Sequence, residues 1–393
     1  MGEDGKPRPP RRVPRGAAPL AQLPPRPPQP PPRRQPWRFG RFLAGFVVFL
    51  LVVAGGASAG WWVRADSLRM DTTKVFESIS PGVVRVLATT CAGTGEATGV
   101  LIDDGLILTA ASAVKQPLAI AFMTPDGRVR RANLLGSSAD GVAVLRLIGR
   151  LDSAPVPLAT AEPDPLAERA QIGYTADGKQ AIQPIGTAEQ PRGLSEIMNP
   201  AKLGGPVVDK SGHVIGLVVG KTVPAAEIVP LAKLREYAEV RPPAITPEES
   251  GTCQRSRGPQ IPMAPELQVG STGLGLEVQK LFANYLTQQN KHDFAAVRRY
   301  YSKKLARALP EEKDAENHET TFLFNAKIIS LARVPEGLSV RMTFAVLFSP
   351  TSQGAGGQTC NRLDLRYRVV RERGQLKIDS ATTQVEAQSC DTE

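Results

Sequence analysis

Hydrophobic residues follow three different patterns along the 393-residue chain, and each pattern predicts a different structure. The first is an apolar stretch over residues 42–63 that contains no charged side chain. About 20 apolar residues at a rise of roughly 1.5 Å span a hydrocarbon core of about 30 Å, so this stretch predicts a transmembrane helix. Trp37 before it and Trp61 and Trp62 at its end are typical of aromatic belts at membrane interfaces.

Residues 72–240 carry the second pattern, in which short β-branched and aliphatic runs alternate with Gly, Pro and Asp. This spacing predicts a mostly β domain, either a barrel or a sandwich, that ends in a helix over about 230–240. Residues 241–272 are rich in Pro, Gly, Ser and Thr and show no apolar period. They predict a linker.

The third pattern covers residues 273–393. Apolar residues from Leu276 to Leu286 lie at helical spacing, and Asp293 is placed to cap a second helix that Pro310 ends. After a charged stretch up to Glu319, the sequence predicts four strands with a hairpin turn at Glu372-Arg373-Gly374, over residues 320–331, 338–348, 363–371 and 376–383.

This element order, helices followed by a curved antiparallel sheet, resembles the SnoaL-like (nuclear-transport-factor-two-like) α+β cone. The resemblance implies that the cone can hold a small ligand, a partner surface or an active site. His292 and His318 are candidate pocket residues, with Asp293 and Glu319 beside them. The alternative interpretation places these four residues in solvent at helix flanks and loops.

Charge is concentrated before the apolar stretch. Residues 1–41 hold ten Lys or Arg against Glu3 and Asp4, a net of +8, so residues 42–393 carry only +2 of the total of +10. A nearly neutral folded part disfavours nucleic-acid binding. The first 40 residues also hold 13 of the 35 prolines, which predicts a disordered tail. Such a tail serves as a topology signal, or it docks a cytoplasmic proline-reading partner or anionic lipid.

The basic flank also predicts how the chain is oriented. By the positive-inside rule, we expect the N-terminus in the cytoplasm and residues 65–393 outside the plasma membrane, facing the cell envelope. A rival interpretation is that Ala57-Ser58-Ala59 is a signal-peptidase site. The long region before the apolar core and the apolar continuation through Val63 favour an uncleaved anchor in the lipid bilayer.

All four cysteines follow the apolar stretch, and an even number in an oxidising compartment predicts two disulfides. Three pairings are open. One of them joins Cys360 to Cys390 within the C-terminal part and Cys91 to Cys253 between the β domain and the linker. No Cys-x-x-Cys spacing occurs and only three histidines exist, so we expect no metal site and no cofactor.

Five motifs occur in a characteristic order between residues 80 and 230. They are Ser-Pro-Gly-Val-Val, a strand that ends in Leu-Thr-Ala-Ala, a Leu-Gly-Gly-Pro-Val-Val-Asp segment, a Gly-His-Val-Ile-Gly-Leu strand and Glu-Ile-Val-Pro, at 80–84, 99–111, 203–209, 212–217 and 227–230. This order over about 170 residues resembles the HtrA/Deg-like branch of trypsin-like serine proteases. The resemblance implies a double β-barrel with a cleft between the barrels.

In that family a histidine base, an orienting aspartate and a serine nucleophile meet across the cleft. Transferred by motif, the histidine position is Ser112, the aspartate position is Gly141 and the serine position is Leu203. None of these side chains supplies the required chemistry. Asp140 lies one residue before the aspartate position, and His213 is the only histidine between residues 72 and 240.

The resemblance together with the three replacements predicts a pseudoprotease: a membrane-anchored scaffold, peptide binder or regulator of the cell envelope. We expect any ligand in the cleft to be an extended peptide or an envelope protein. The alternatives are an enzyme or small-ligand binder that uses the C-terminal cone, or a serine protease with a non-standard site.

Overall fold

The computed structural model describes residues 38–103, 105–175, 177–192, 200–222, 225–259 and 263–391. The predicted disordered tail lies outside the described residues up to residue 37. The chain divides into two units, Met1–Trp62 and Val63–Glu393.

Helix α1, Arg38–Leu68, contains the whole predicted transmembrane stretch and extends beyond it at both ends. Residues 38–41, which the sequence assigned to the tail, belong to this helix. By length and composition α1 is apolar enough to cross a membrane. The candidate cleavage site at Ala57-Ser58-Ala59 lies inside it.

A short helix, α2 (Thr72–Ile79), leads into the β domain. Asp71 caps it, because the Asp71 carboxylate accepts a hydrogen bond of 3.2 Å from the backbone N–H of Lys74. Six antiparallel strands then close a barrel in the order β1-β2-β3-β6-β5-β4. Their bounds are Val83–Thr90, Glu96–Asp103, Leu106–Ala110, Pro117–Met123, Val129–Ser137 and Val142–Leu147 for β1 to β6.

The second half of the β domain is a five-stranded sheet in the order β11-β10-β9-β7-β8. The resemblance implied a second barrel here, whereas the described strands form a sheet. Helix α3, Leu231–Ala238, follows it close to the predicted helix at 230–240. The strands β7 to β11 are Arg169–Tyr174, Gln180–Gly186, Pro206–Val208, Val214–Thr222 and Ala225–Pro230.

One apolar core joins the barrel to the second sheet. Val100 and Leu108 of the barrel are fully buried in the same cluster as Ile172, Leu217 and Val219 of the second sheet. Because these side chains share one interior, the two halves hold each other in a fixed relative position. The interface between them is therefore part of the folded core.

The C-terminal part begins with helix α4, Gly273–Asn290, capped by Thr272. The prediction of one continuous second helix is wrong, because the structure divides this segment into two helices. Asp293 caps α5, Phe294–Val297, as predicted, but the backbone is extended at Tyr301 and α6, Lys303–Ala308, begins after a new cap at Ser302. The break occurs because the backbone N–H of Ser302 donates to the carbonyl of Ile378, 2.8 Å away in the sheet.

The charged stretch before residue 319 is also a helix, α7 (Glu311–His318), which the sequence interpretation left without structure. Its first turn holds three acidic residues, which suit the positive end of a helix dipole. The four predicted strands are all present. They form the C-terminal sheet, with β13 Phe322–Val334, β14 Gly337–Leu347, β15 Cys360–Glu372 and β16 Gln375–Ser389. Strands β15 and β16 are longer than predicted at both ends, whereas β13 starts two residues later and β14 ends one residue earlier than predicted. Arg373 and Gly374 form the predicted turn, both with positive φ.

The C-terminal sheet packs against the barrel through a separate apolar cluster. Leu87 and Ala121 of the barrel contact Phe322, Phe324 and Leu347 of the sheet. Polar contacts surround this cluster. The Thr89 hydroxyl donates to the carbonyl of Thr320 at 3.0 Å, and the Asn325 amide donates to the carbonyl of Gly127 at 3.0 Å.

The structure contains two disulfides, Cys91–Cys253 and Cys360–Cys390. The first ties the end of β1 to the segment at 241–272, and the second joins the start of β15 to the residue after β16. The 241–272 segment also pairs with both neighbouring parts. Thr246 bridges Ser137 of the barrel, and the short strand β12, Glu266–Leu267, runs parallel to β13.

Candidate functional site

The three positions that correspond to the protease triad converge between the barrel and the second sheet. The backbone N–H of Ala111, beside Ser112, donates to the carbonyl of Gly141 at 2.8 Å. A Cβ atom at Gly204, beside Leu203, would lie 2.6 Å from the backbone nitrogen of Ala110. The structure therefore brings Ser112, Gly141 and Leu203 to one location.

Ser112 lies in a turn of 3-10 helix, Ala111–Ala113, directly after β3. Its carbonyl accepts a hydrogen bond of 2.9 Å from the backbone N–H of Thr94. Its hydroxyl oxygen is buried and has no hydrogen-bond partner within the described part of the chain. No acceptor in that part draws a proton from this hydroxyl, and a serine hydroxyl is no base at neutral pH.

Gly141 occupies a tight turn before β6. Its φ is +84°, a left-handed conformation that favours glycine, and its N–H donates to the carbonyl of Ser138 at 3.1 Å. The neighbouring Asp140 accepts a hydrogen bond from the hydroxyl of Tyr237 in α3. Burial, followed by this bond to Asp140, raises the pKa of Tyr237 to about 12.

Leu203, which the motif order assigns to the nucleophile position, carries a hydrocarbon side chain. It packs against two apolar clusters, one inside the barrel and one between the second sheet and α3. Its Cδ1 atom lies 3.2 Å from the position of a Cβ at Gly220. Its carbonyl accepts a hydrogen bond of 2.8 Å from the backbone N–H of Thr98. The side chain thus serves packing and offers no nucleophilic atom.

The loop before Leu203 is held by its carbonyl groups. The carbonyl of Ala201 accepts a hydrogen bond of 2.6 Å from the Thr98 hydroxyl. The carbonyl of Lys202 accepts from the Gln171 amide at 3.2 Å and from the N–H of Gly205 at 3.2 Å. In a working protease this loop presents amide N–H groups to an oxyanion. Here these hydrogen bonds anchor the loop to the barrel and to β7.

Gly204 and Gly205 are required by packing. Gly204 has a φ of +80°, and a Cβ there would lie closer to the Thr98 carbonyl than to the Ala110 nitrogen. A Cβ at Gly205 would overlap the Gln171 amide and the carbonyl of Ile172. The pair is therefore explained without reference to catalysis.

Comparison with known proteins agrees with this fold. The family described as "Trypsin-like peptidase domain" matches residues 97–217, which include all three positions. This chain contains a trypsin-like peptidase domain. No curated protein matches the chain.

Solved structures resemble the trypsin-like domain at low identity. The serine endoprotease from Yersinia pestis is 20% identical with a TM-score of 0.37, and the match covers 44% of this chain and 66% of that one. The active form of the Rv3671c protease from M. tuberculosis is 21% identical with a TM-score of 0.38, over 46% of this chain and 88% of that one.

His213 lies in the turn between β9 and β10 of the trypsin-like domain. It is partly exposed, and its Nδ1 atom lies 3.8 Å from the carboxylate of Asp209. Its neighbour Gly212 faces α2, because a Cβ there would lie 2.9 Å from Ile79. These contacts place His213 in the turn, on the side of the trypsin-like domain that carries α2.

Two buried polar groups of the trypsin-like domain were missed by sequence reasoning. Arg85 and Glu96 form an ion pair across β1 and β2, in which Arg85 Nε donates to Glu96 Oε1 at 2.7 Å. Burial raises the pKa of Glu96, and Arg85 opposes this shift only in part. A charged side chain in each of two neighbouring strands that are otherwise mostly uncharged was the signal that could have found them.

The two histidines of the C-terminal part lie at helix ends. His292 Nε2 is 3.0 Å from the carbonyl of Thr321, and burial lowers the pKa of this histidine. His318 Nδ1 is 3.0 Å from the buried carboxylate of Asp314. Between the helices and the sheet, the interior is filled by apolar and aromatic side chains, including Phe282 and Tyr367. No cluster of metal ligands occurs among the described residues.

Proposed function

We propose that this chain is a membrane-anchored, extracytoplasmic pseudoprotease that binds an extended peptide or an envelope protein and acts as a scaffold or regulator. The observation that carries this proposal is Leu203, a hydrocarbon side chain at the nucleophile position, packed into two apolar clusters. The apolar helix α1 and the two disulfides support the extracytoplasmic placement.

The chemistry of the family supports the same conclusion. Peptide hydrolysis by a triad needs a nucleophile, a base that accepts its proton and a carboxylate that orients the base. Removing one member of such a unit leaves little rate, and removing the nucleophile leaves no acyl-enzyme route at all. Ser112, Gly141 and Leu203 replace all three members at once.

A serine protease with a non-standard site is the second candidate, and two contacts disfavour it. Asp140, the carboxylate next to the aspartate position, accepts a hydrogen bond from Tyr237. His213 is held beside Asp209, on a turn that faces α2. The hydroxyl of Ser112 has no hydrogen-bond partner among the described residues, so neither residue is hydrogen-bonded to it.

A ligand site within the C-terminal part is the third candidate. We propose the SnoaL-like cone as its fold, since residues of α4, α5 and α6 pack with the antiparallel strands β13 to β16 in one apolar cluster. The apolar filling of this interior disfavours a deep polar pocket there. Phe282 and Tyr367 meet edge to face with ring centroids 4.8 Å apart, in the space that a ligand would need.

The test uses the full-length chain in its host membrane, with a photo-crosslinking residue at Lys202 in the cleft loop. The same residue at Lys233, exposed on α3, is the matched control. We expect peptide or envelope-protein adducts from position 202 that are absent from position 233. Identical adduct patterns at the two positions would contradict peptide binding in the cleft.

A further inference from the structure

A second concave site lies between the barrel and the C-terminal sheet, apart from the triad positions. It has a volume of about 590 Å³, and none of Ser112, Gly141 and Leu203 lines it. This volume falls within the range of about 300–1,000 Å³ that is usual for sites that bind small molecules.

Most of the wall of this cavity is apolar. Leu87 and Met123 come from the barrel, Phe322 and Phe324 from β13, and Met263 from the segment before β12. The two phenylalanine rings are nearly parallel, with centroids 6.1 Å apart. Methionine side chains adapt their shape to a neighbour, so two of them on facing walls suit an apolar ligand body.

One buried cation also lines the cavity. Arg85 is only 8% exposed. Its Nε and Nη2 atoms both donate to Glu96 Oε1, while its Nη1 atom has no hydrogen-bond partner within the described part of the chain. A Cβ at Gly178, which also lines the cavity, would lie 2.5 Å from this Nη1 atom. The glycine, with a φ of +79°, therefore lets the backbone at 178 pack directly against this Nη1 atom at the edge of the cavity.

The charges around the cavity balance each other. Glu96 neutralises Arg85, Glu266 lies 3.4 Å from Lys327, and Asp177 lies 3.7 Å from Lys179. A bound anion would add an uncompensated charge next to Glu96, whose own ionisation is already disfavoured by burial. A neutral hydrogen-bond acceptor meets the Nη1 donor without this penalty.

We propose that this cavity binds a neutral amphipathic small molecule, whose carbonyl oxygen accepts a hydrogen bond from Arg85 Nη1 and whose apolar body packs on Phe322, Phe324 and the two methionines. The site exists only where the barrel and the C-terminal sheet meet. A bound ligand would therefore stabilise the contact between these two parts, and its binding would require that the contact is formed. It does not depend on whether the triad positions are inactive.

The test measures binding of three small probes to the full-length chain in lipid nanodiscs by ligand-observed NMR, with empty nanodiscs subtracted. Hydrocinnamamide carries a neutral carbonyl, hydrocinnamate carries a carboxylate, and propylbenzene carries no acceptor. We expect the amide to bind about tenfold more tightly than either of the other two, which is a difference of about 1.4 kcal/mol. Tighter binding of the carboxylate, or equal binding of all three, would overturn the neutral-acceptor site.

Variants locate the binding. Ala264→Phe fills the cavity from an exposed position on its rim and should abolish amide binding, whereas Ala264→Ser is the matched control and should leave it unchanged. The double variant Arg85→Met/Glu96→Leu replaces the ion pair with apolar groups, which often preserves folding. It should bind the amide and propylbenzene equally. Amide binding that survives Ala264→Phe, or amide selectivity that survives the double variant, would place the ligand elsewhere.

Discussion

The hydroxyl of Tyr237 in α3 donates a hydrogen bond to Asp140, the residue before Gly141. Asp140 is the carboxylate that lies next in sequence to the aspartate position of the triad. In this chain it anchors the terminal helix of the trypsin-like domain to the turn before β6. This hydrogen bond thus contributes to holding the two halves of the domain together.

Replacing Tyr237 by Phe should therefore destabilise the protein by about 1–3 kcal/mol, because the partly buried carboxylate of Asp140 loses the hydrogen bond from the Tyr237 hydroxyl. The effect should depend on pH. The pKa of Tyr237 is raised from 10.0 to about 12, so its stabilising contribution is complete below pH 10 and is lost as pH rises through 12. Denaturant unfolding of wild type and Tyr237→Phe across this range checks the prediction. A stability difference that stays constant would contradict it.

The buried pair Arg85–Glu96 predicts a second pH dependence. The pKa of Glu96 is raised above 4.5 by burial, so protonation of this carboxyl is more favourable in the folded state than in the unfolded chain. As pH rises from 4.5 through the raised value, wild type should lose stability relative to Glu96→Gln, which cannot ionise. The measurement is the free energy of unfolding of both proteins on either side of this window. The prediction would be contradicted if the wild-type protein became more stable relative to Glu96→Gln as pH rises.

Gly204 tests whether the retained Gly-Gly-Pro segment serves packing. Gly204→Ala forces a Cβ against the Thr98 carbonyl and the Ala110 nitrogen and should destabilise the protein by about 3 kcal/mol or more. Gly354→Ala is the matched control, since its φ of +78° is similar and nothing lies within 4 Å of its Cβ position. The control should lose about 1 kcal/mol from backbone strain alone. Equal losses in a thermal or denaturant unfolding experiment would remove the packing argument.

The two disulfides should stabilise the chain unequally. Cys91 and Cys253 are separated by 162 residues, and Cys360 and Cys390 by 30. In the loop-entropy model this difference makes the longer bridge more stabilising by about 1.5 kcal/mol. This difference is measured as the free energy of unfolding of two double variants, Cys91→Ser/Cys253→Ser and Cys360→Ser/Cys390→Ser. A larger loss from the second variant would show that the contacts around the bridges outweigh loop length.

The apolar helix α1 predicts an uncleaved anchor. The mature protein should sediment with membranes after alkaline carbonate extraction, and its mass should include residues before Ala59. A soluble product that begins at Gly60 would establish cleavage after Ala57-Ser58-Ala59 instead. A Lys or Arg at two positions in the centre of α1, such as Val48 and Val52, should abolish membrane retention, because each adds about 3 kcal/mol to insertion. Val48→Leu/Val52→Leu is the control.

Local sequence signals predicted much of the fold. The cap at Asp293, the turn at Arg373-Gly374 and the four C-terminal strands follow from local patterns. The break at Ser302 did not, because it depends on a hydrogen bond to Ile378, a residue 76 positions away in the chain. Helix α7 was missed because Asp314 is its only buried residue, so it shows no apolar period.

The triad positions and the cavity also differ in whether the sequence could predict them. Motif order predicts Ser112, Gly141 and Leu203 as the triad positions, because the strands around them carry strong local patterns. The cavity beside Arg85 could not be predicted, since it forms where Leu87 of β1 meets Phe322 and Phe324 of β13. No short-range pattern encodes a contact between residues so far apart in the chain.

The most direct test of the pseudoprotease proposal is fluorophosphonate labelling of the full-length protein, read by intact mass, with an active trypsin-like protease as positive control. The account predicts no adduct on wild type and none on Leu203→Ser, because no base lies at residue 112. A stoichiometric adduct on a defined serine of the wild-type trypsin-like domain would contradict it.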